Sequence, residues 1–228
     1  MENYDPTREY ALDVLFERGD ISEAWEAVSL FEKTIAKFAG SKYAVAVDNC
    51  TDALFLCLKY LNAKDIPVTI PDKTYASVPM AIDSAGYTFQ LEDIEWSGLY
   101  KLGDLPIYDS ALRFTEGMYI QDSFQCLSFH RRKVLKLTKG GMILTNDKNA
   151  VEWFKMARAK GRSPHKKVFY DDENISIFGW NMYMHPNDAA KGLLIFEGLD
   201  RLNDDIGGSH SYPPISRHDF YKKYKVTL

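Results

Sequence analysis

Short apolar runs alternate along this chain with longer stretches whose apolar residues recur at helical spacing, and that alternation restricts the fold more than any other feature. Residues 43–47, 67–71, 87–91, 105–108, 126–129 and 142–145 are each too short for a helix and nearly free of charge. They read as strands, the first of them a continuous apolar run of the kind buried on both faces. Between residues 21 and 39, Ile21, Ala24, Trp25, Val28, Leu30, Phe31, Ile35 and Phe38 recur roughly at helical spacing, and Gly40 supplies the stop. A second helix begins after Asn49-Cys50-Thr51, a third spans 76–85 with Pro79 in its first turn, and another runs from Asn146 through Lys160. Gly140-Gly141 marks a turn before the last strand. Strands that alternate with helices predict a mostly parallel sheet covered on both faces, a three-layer α/β/α domain. Its functional residues are then expected just beyond the carboxyl ends of the strands.

At 228 residues the chain is long enough for one sizeable core. Residues 1–206 are assigned to the main domain and 207–228 to a tail. The tail runs from Gly207-Gly208 through Pro213-Pro214 as a linker or extended arm and ends in a basic aromatic segment, 220–224. A net charge of −4 without a Lys/Arg run gives no footprint for nucleic acid or an anionic membrane, which turns attention to small-molecule chemistry. Residues 1–10 lack the basic start and apolar run of a secretion signal, and no apolar segment has bilayer length. Cys50, Cys57 and Cys126 form no Cys-x-x-Cys pair, which argues against a disulfide framework or a zinc site. The expected compartment is the cytosol, with no metal.

The strongest local signal is Ser128-Phe129-His130-Arg131-Arg132-Lys133, followed by Gly140-Gly141 and the apolar run Met142-Ile143-Leu144. On local chemistry alone a lysine in a basic stretch is an ordinary surface charge. Four further stretches change its standing: Val47-Asp48-Asn49-Cys50-Thr51-Asp52-Ala53-Leu54, Pro71-Asp72-Lys73-Thr74-Tyr75-Ala76, Asp109-Ser110-Ala111, and Gly179-Trp180-Asn181 leading to Ala189-Ala190. In this order and spacing the chain resembles the DegT/DnrJ/StrS family of pyridoxal-phosphate-dependent sugar aminotransferases, from about Phe31 to Leu202. The resemblance implies the large domain of the aspartate aminotransferase type I fold, with the small C-terminal domain largely absent.

It also implies roles. Lys133 falls on the family's Schiff-base lysine, and a primary amine there suits both condensation with an aldehyde and proton relay. Asp109 is expected to pair with the pyridine nitrogen, within the Asp-x-Ala motif that Ala111 completes. Tyr75 is expected to stack on the ring. Asn49, Cys50 and Thr51, at a helix start that favours an anion, together with Ser128, are expected to hold the phosphate. Thr51 as a plain helix cap is the competing reading. In relatives the residue matching Asn181 reaches the neighbouring subunit's cofactor, which implies a homodimer. The chain departs from the family at Cys50 for a common glycine, Leu112 for a common glutamine, and Tyr183 for an arginine. The implied activity is transfer of an amino group from glutamate or glutamine to a keto carbon of a nucleotide-linked sugar. Two alternatives stay open: a sugar dehydratase, whose relatives carry His in place of Lys133, and a non-catalytic partner subunit, motivated by the short C-terminal part.

Overall fold

The computed structural model describes residues 6–63, 65, 67–163 and 175–226. In chain order its elements are α1 (Pro6–Glu17), α2 (Glu26–Ala39), β1 (Tyr43–Val47), α3 (Cys50–Leu61), β2 (Val68–Pro71), α4 (Ser77–Ser84), β3 (Phe89–Glu92) and β4 (Tyr100–Lys101), then β5 (Ile107–Asp109), β6 (Phe124–Ser128), β7 (Gly141–Thr145), α5 (Lys148–Ala157), α6 (Pro186–Glu197) and the short α7 (Asp219–Lys222). Five strands form one sheet in the order β1-β7-β6-β5-β4, and β2 pairs with β3. The Gly103 N–H donates to the Thr69 carbonyl at 2.8 Å, so the pair lies against the edge of the larger sheet.

The layering follows from the two-residue period of the strands. On β1, Val45 and Val47 point into one core while Ala44 and Ala46 point into the other. On β6, Phe124 and Cys126 face the first core and Leu127 the second; on β7, Ile143 faces the first and Met142 and Leu144 the second. The first core contains the apolar faces of α3, α4 and α5, the second those of α1, α2 and α6. Three layers result, as the alternation of strands and helices requires.

Strand direction departs from the expectation. β5 and β6 are parallel, as are β2 and β3, but β1–β7, β6–β7 and β4–β5 are antiparallel, which makes the sheet mixed rather than mostly parallel. The physical reason is the connections. No helix separates β6 from β7, and a parallel return needs a crossover of a dozen or more residues, usually helical. The intervening loop instead folds on itself, with Phe129 N–H to the Gly140 carbonyl (2.9 Å) and Leu137 N–H to the Phe129 carbonyl (2.7 Å), and the chain re-enters beside β6 in reverse.

The C-terminal segment, expected as a linker or an extended arm, lies against the domain. Leu91 N–H donates to the Tyr224 carbonyl (2.8 Å) and Val226 N–H to the Leu91 carbonyl (3.0 Å), which lays the segment alongside β3. The Tyr221 ring is buried against Phe89. Residues 207–226 therefore pack on the domain.

Candidate active site

β1, β5 and β6 run in the same direction, so Val47, Asp109 and Ser128 end at one edge of the sheet. A cavity of about 370 Å³ opens there. Asn49, Cys50, Thr51, Tyr75, Asp109, Ala111, Ser128 and Lys133 all line it. Four separate stretches of sequence converge on one volume, a size suited to a small ligand.

One wall is the start of α3. Asn49 caps the helix in an extended conformation, and its Oδ1 accepts from the Asp52 N–H at 2.9 Å. The first turn of any helix lacks intrahelical acceptors for its N–H groups, which makes this end attractive to an anion. The Thr51 hydroxyl is hydrogen-bonded to the Ser77 hydroxyl at 2.7 Å, while the capping belongs to Asn49. Gly141 explains how the turn fits. A Cβ at that position would come within 2.6 Å of the Cys50 nitrogen and closer still to the Asn49 carbonyl carbon. Only a residue without a side chain lets β7 approach α3 this closely.

Asp109 closes β5 and is 6% exposed. Its Oδ1 accepts from the Ala111 N–H at 2.9 Å and its Oδ2 from the Tyr100 hydroxyl at 3.0 Å. Burial pushes the carboxyl pKa up, and the Ala111 N–H, the Tyr100 hydroxyl and the Lys133 charge pull against it. Lys133 sits in the folded loop between β6 and β7, its N–H bonded to the His130 carbonyl at 2.8 Å. Its Nζ carries no hydrogen bond or ion pair among the described residues. Burial lowers its pKa, and Cys50 and Asp109 oppose that shift. The Cys50 thiol is pushed well up by burial, then by the nearby Asp109 charge.

The opposite wall is aromatic and comes partly from a distant segment. The Tyr75 ring, 61% exposed, meets the Tyr212 ring edge-on at 6.3 Å, and Trp96 stacks on Tyr212 at 5.9 Å. Trp96 and Tyr212 both line the cavity. Burial, then the Asp109 charge, pushes the Tyr212 hydroxyl up to about 12. Tyr212 is held in place by the C-terminal segment, whose Ser209 N–H donates to the Trp96 carbonyl at 2.9 Å.

Sequence reasoning did not single out Trp96, Tyr100, Thr74 or Tyr212. Thr74 lies inside the 71–76 motif; the other three carry no local signal, because each becomes part of the site only through a contact distant in sequence. Of the predicted residues, Asn181 alone does not line the cavity. It is exposed, in an isolated bridge opposite Ala159. His130 lines the rim, where burial and then Arg131 lower its pKa. No cluster of three metal-binding side chains occurs among the described residues. No described helix is long and apolar enough to cross a membrane.

The residues fit pyridoxal 5′-phosphate chemically. A capped helix N-terminus suits a phosphate, a buried carboxylate suits a protonated ring nitrogen, and an amine with depressed basicity suits an aldehyde.

Comparison with known proteins places this arrangement. The model of the DegT/DnrJ/EryC1/StrS aminotransferase family matches residues 5–99 and 120–223. The GDP-perosamine synthase of Caulobacter vibrioides is 25% identical over 85% of this chain and 62% of its own length. The spore coat polysaccharide biosynthesis protein SpsC of Bacillus subtilis is 43% identical over 80% of this chain and 60% of its own. Among solved structures, AtS13 from Actinomadura melliaura superposes with a TM-score of 0.67 at 20% identity, covering 84% of this chain and 65% of that one. The chain spans about three-fifths of the length of the first two relatives.

Proposed function

This chain belongs to the DegT/DnrJ/EryC1/StrS aminotransferase family, and from that premise we propose that it binds pyridoxal 5′-phosphate at Lys133 and moves an amino group from glutamate or glutamine to a keto carbon of a nucleotide-linked sugar. The observation that carries the reading is the meeting of Lys133, Asp109 and the start of α3 in one cavity. When bound, the cofactor supplies an aldehyde that accepts an amine and a ring that withdraws electrons from the reacting carbon. Every other task falls to the protein.

Lys133 offers Nζ, whose depressed pKa raises the unprotonated fraction able to attack a carbonyl carbon. The same nitrogen, once free, takes a proton from the substrate carbon and returns it. Asp109 holds the ring nitrogen in its protonated form. The N–H groups of Cys50 and Thr51, with the Ser128 hydroxyl, bind the phosphate. Tyr75 packs on the ring face. Ala111 orients Asp109 through its N–H. Asn181, exposed and away from its own cavity, is assigned to the phosphate of a second copy, so the working form is a homodimer, and the expected compartment is the cytoplasm. The presence of Lys133 rather than His favours amino transfer over dehydration.

Borohydride treatment of protein incubated with the cofactor tests the assignment. The peptide bearing Lys133 gains the mass of the reduced cofactor, and Lys133→Ala protein gains none. Labelling confined to another lysine sinks the reading. Transfer of nitrogen from labelled glutamate to a keto-sugar nucleotide tests the activity.

A further inference from the structure

Behind Asp109 lies a hydrogen-bonded chain whose direction is fixed by proton count. Tyr100 stands directly opposite Asp109 in the β4–β5 ladder. Its hydroxyl is 3.0 Å from Asp109 Oδ2 and 2.5 Å from Thr74 Oγ1. A phenol has one proton. Given to the carboxylate, it leaves the Tyr100 oxygen as acceptor, so Thr74 must donate. The three groups are 2%, 5% and 6% exposed for Thr74, Tyr100 and Asp109, so bulk water competes little for these hydrogen bonds. Thr74 immediately precedes Tyr75, so the chain joins the aromatic wall of the cavity to its buried carboxylate.

We propose that Tyr100, oriented by Thr74, is a positioning residue that keeps Asp109 ionised and aimed at the ring nitrogen of the bound cofactor. The inference rests on the reading that Asp109 faces that nitrogen. Burial works against the carboxylate, and a donor from a neutral phenol favours the charged form without adding a cation that would compete for the ring. The other titratable groups around Asp109 are Lys133 from the β6–β7 loop, Cys50 from α3, Cys126 from β6 and Tyr212 from the C-terminal segment. Of these, only Lys133 favours the carboxylate, and Lys133 is engaged by the cofactor aldehyde in the proposed function. Tyr100 and the Ala111 N–H then carry the task.

The test is cofactor affinity across the acidic range, for full-length protein carrying Tyr100→Phe, Thr74→Val or Asp109→Asn. Loss of one hydrogen bond to a charged group predicts about tenfold weaker binding for Tyr100→Phe. The acid limb of its binding curve should move up by about one pH unit. Thr74→Val, which keeps the phenol but removes its orienting donor, shifts the limb the same way by less, and it stands in if Tyr100→Phe protein fails to fold. A role in packing alone lowers the melting temperature and leaves the limb in place, and that result overturns the proposal. An unmoved limb in both variants beside weak binding by Asp109→Asn overturns it while sparing the assignment of Asp109. Unchanged binding by Asp109→Asn overturns both.

Discussion

Asp72 is the best place to test how the C-terminal segment is held against the site. Its carboxylate is 1% exposed and lies just past β2, three residues before Tyr75. It accepts from the Ser216 N–H at 2.9 Å, the Ser216 hydroxyl at 2.6 Å and Lys225 Nζ at 2.8 Å. Burial works to raise its pKa, but Lys225 and Ser216 outweigh it and hold the value below the usual one. Asp72→Ala removes all three contacts and strands two donors of Ser216, itself 9% exposed. Two bonds from neutral donors to a charged acceptor are worth about 1.5–3 kcal/mol each. The Lys225 side chain is 43% exposed, so its pairing adds less than about 1 kcal/mol. A loss of about 3–5 kcal/mol follows once local relaxation is allowed. Asp72→Asn keeps an acceptor for the Ser216 N–H but sets an NH2 group where Oδ2 accepts from the Ser216 hydroxyl and Lys225, so it loses the charge and the Lys225 bond, about 1–2 kcal/mol. A carboxyl with a depressed folded-state pKa stabilises above its unfolded value of 3.8 and loses that contribution as pH falls through the folded value. The deficit of Asp72→Asn should therefore be full near neutrality and close in acid below the unfolded value. Urea midpoints at neutral and acidic pH read this directly. Limited proteolysis should cut Asp72→Ala protein first within 207–226, since that segment loses its anchor. Wild-type stability and an unchanged cleavage pattern in Asp72→Ala would refute the account of the clamp.

Two other substitutions bear on the start of α3. Asp52 is pushed up to about 6, by burial first and then by Asp48, against Lys139 and Asn49. A raised carboxyl pKa penalises the folded state once the group must ionise, so the cost grows from pH 3.8 to about 6 and is full above it. Asp52→Asn should stabilise by roughly 1–2 kcal/mol in mildly alkaline buffer and by nothing in acid; a gain independent of pH in thermal melts contradicts the assignment. Gly141→Ala forces a methyl group into the backbone at Asn49 and Cys50, and its cost should exceed the roughly 1–3 kcal/mol of ordinary overpacking. Titration with cofactor should show weaker binding as well, and unchanged affinity would mean that β7 does not support the helix start.

The sequence by itself determined the layered α/β architecture and named the short stretches that line much of the cavity. Period-two strands and helical faces are local patterns, so Tyr43–Val47 and the helices around it were readable without tertiary information. Residues 47–54, 71–76, 109–111 and 128–133 each carry their chemistry in a short stretch beside a strand end, and the cavity gathers them as that placement predicts. Tertiary structure decided the rest. The direction of β7 depends on a loop that folds back without a crossover helix, which apolar spacing does not encode. The segment from Gly207 reads as a linker or extended arm because Gly, Ser and Pro set its backbone character. Yet its anchor is the buried carboxylate of Asp72, and its contribution to the cavity is Tyr212. Tyr100 looks like any strand tyrosine until the β4–β5 register sets it opposite Asp109. Such contacts join residues far apart in the chain or depend on strand register, and a single sequence records the partners without recording that they meet.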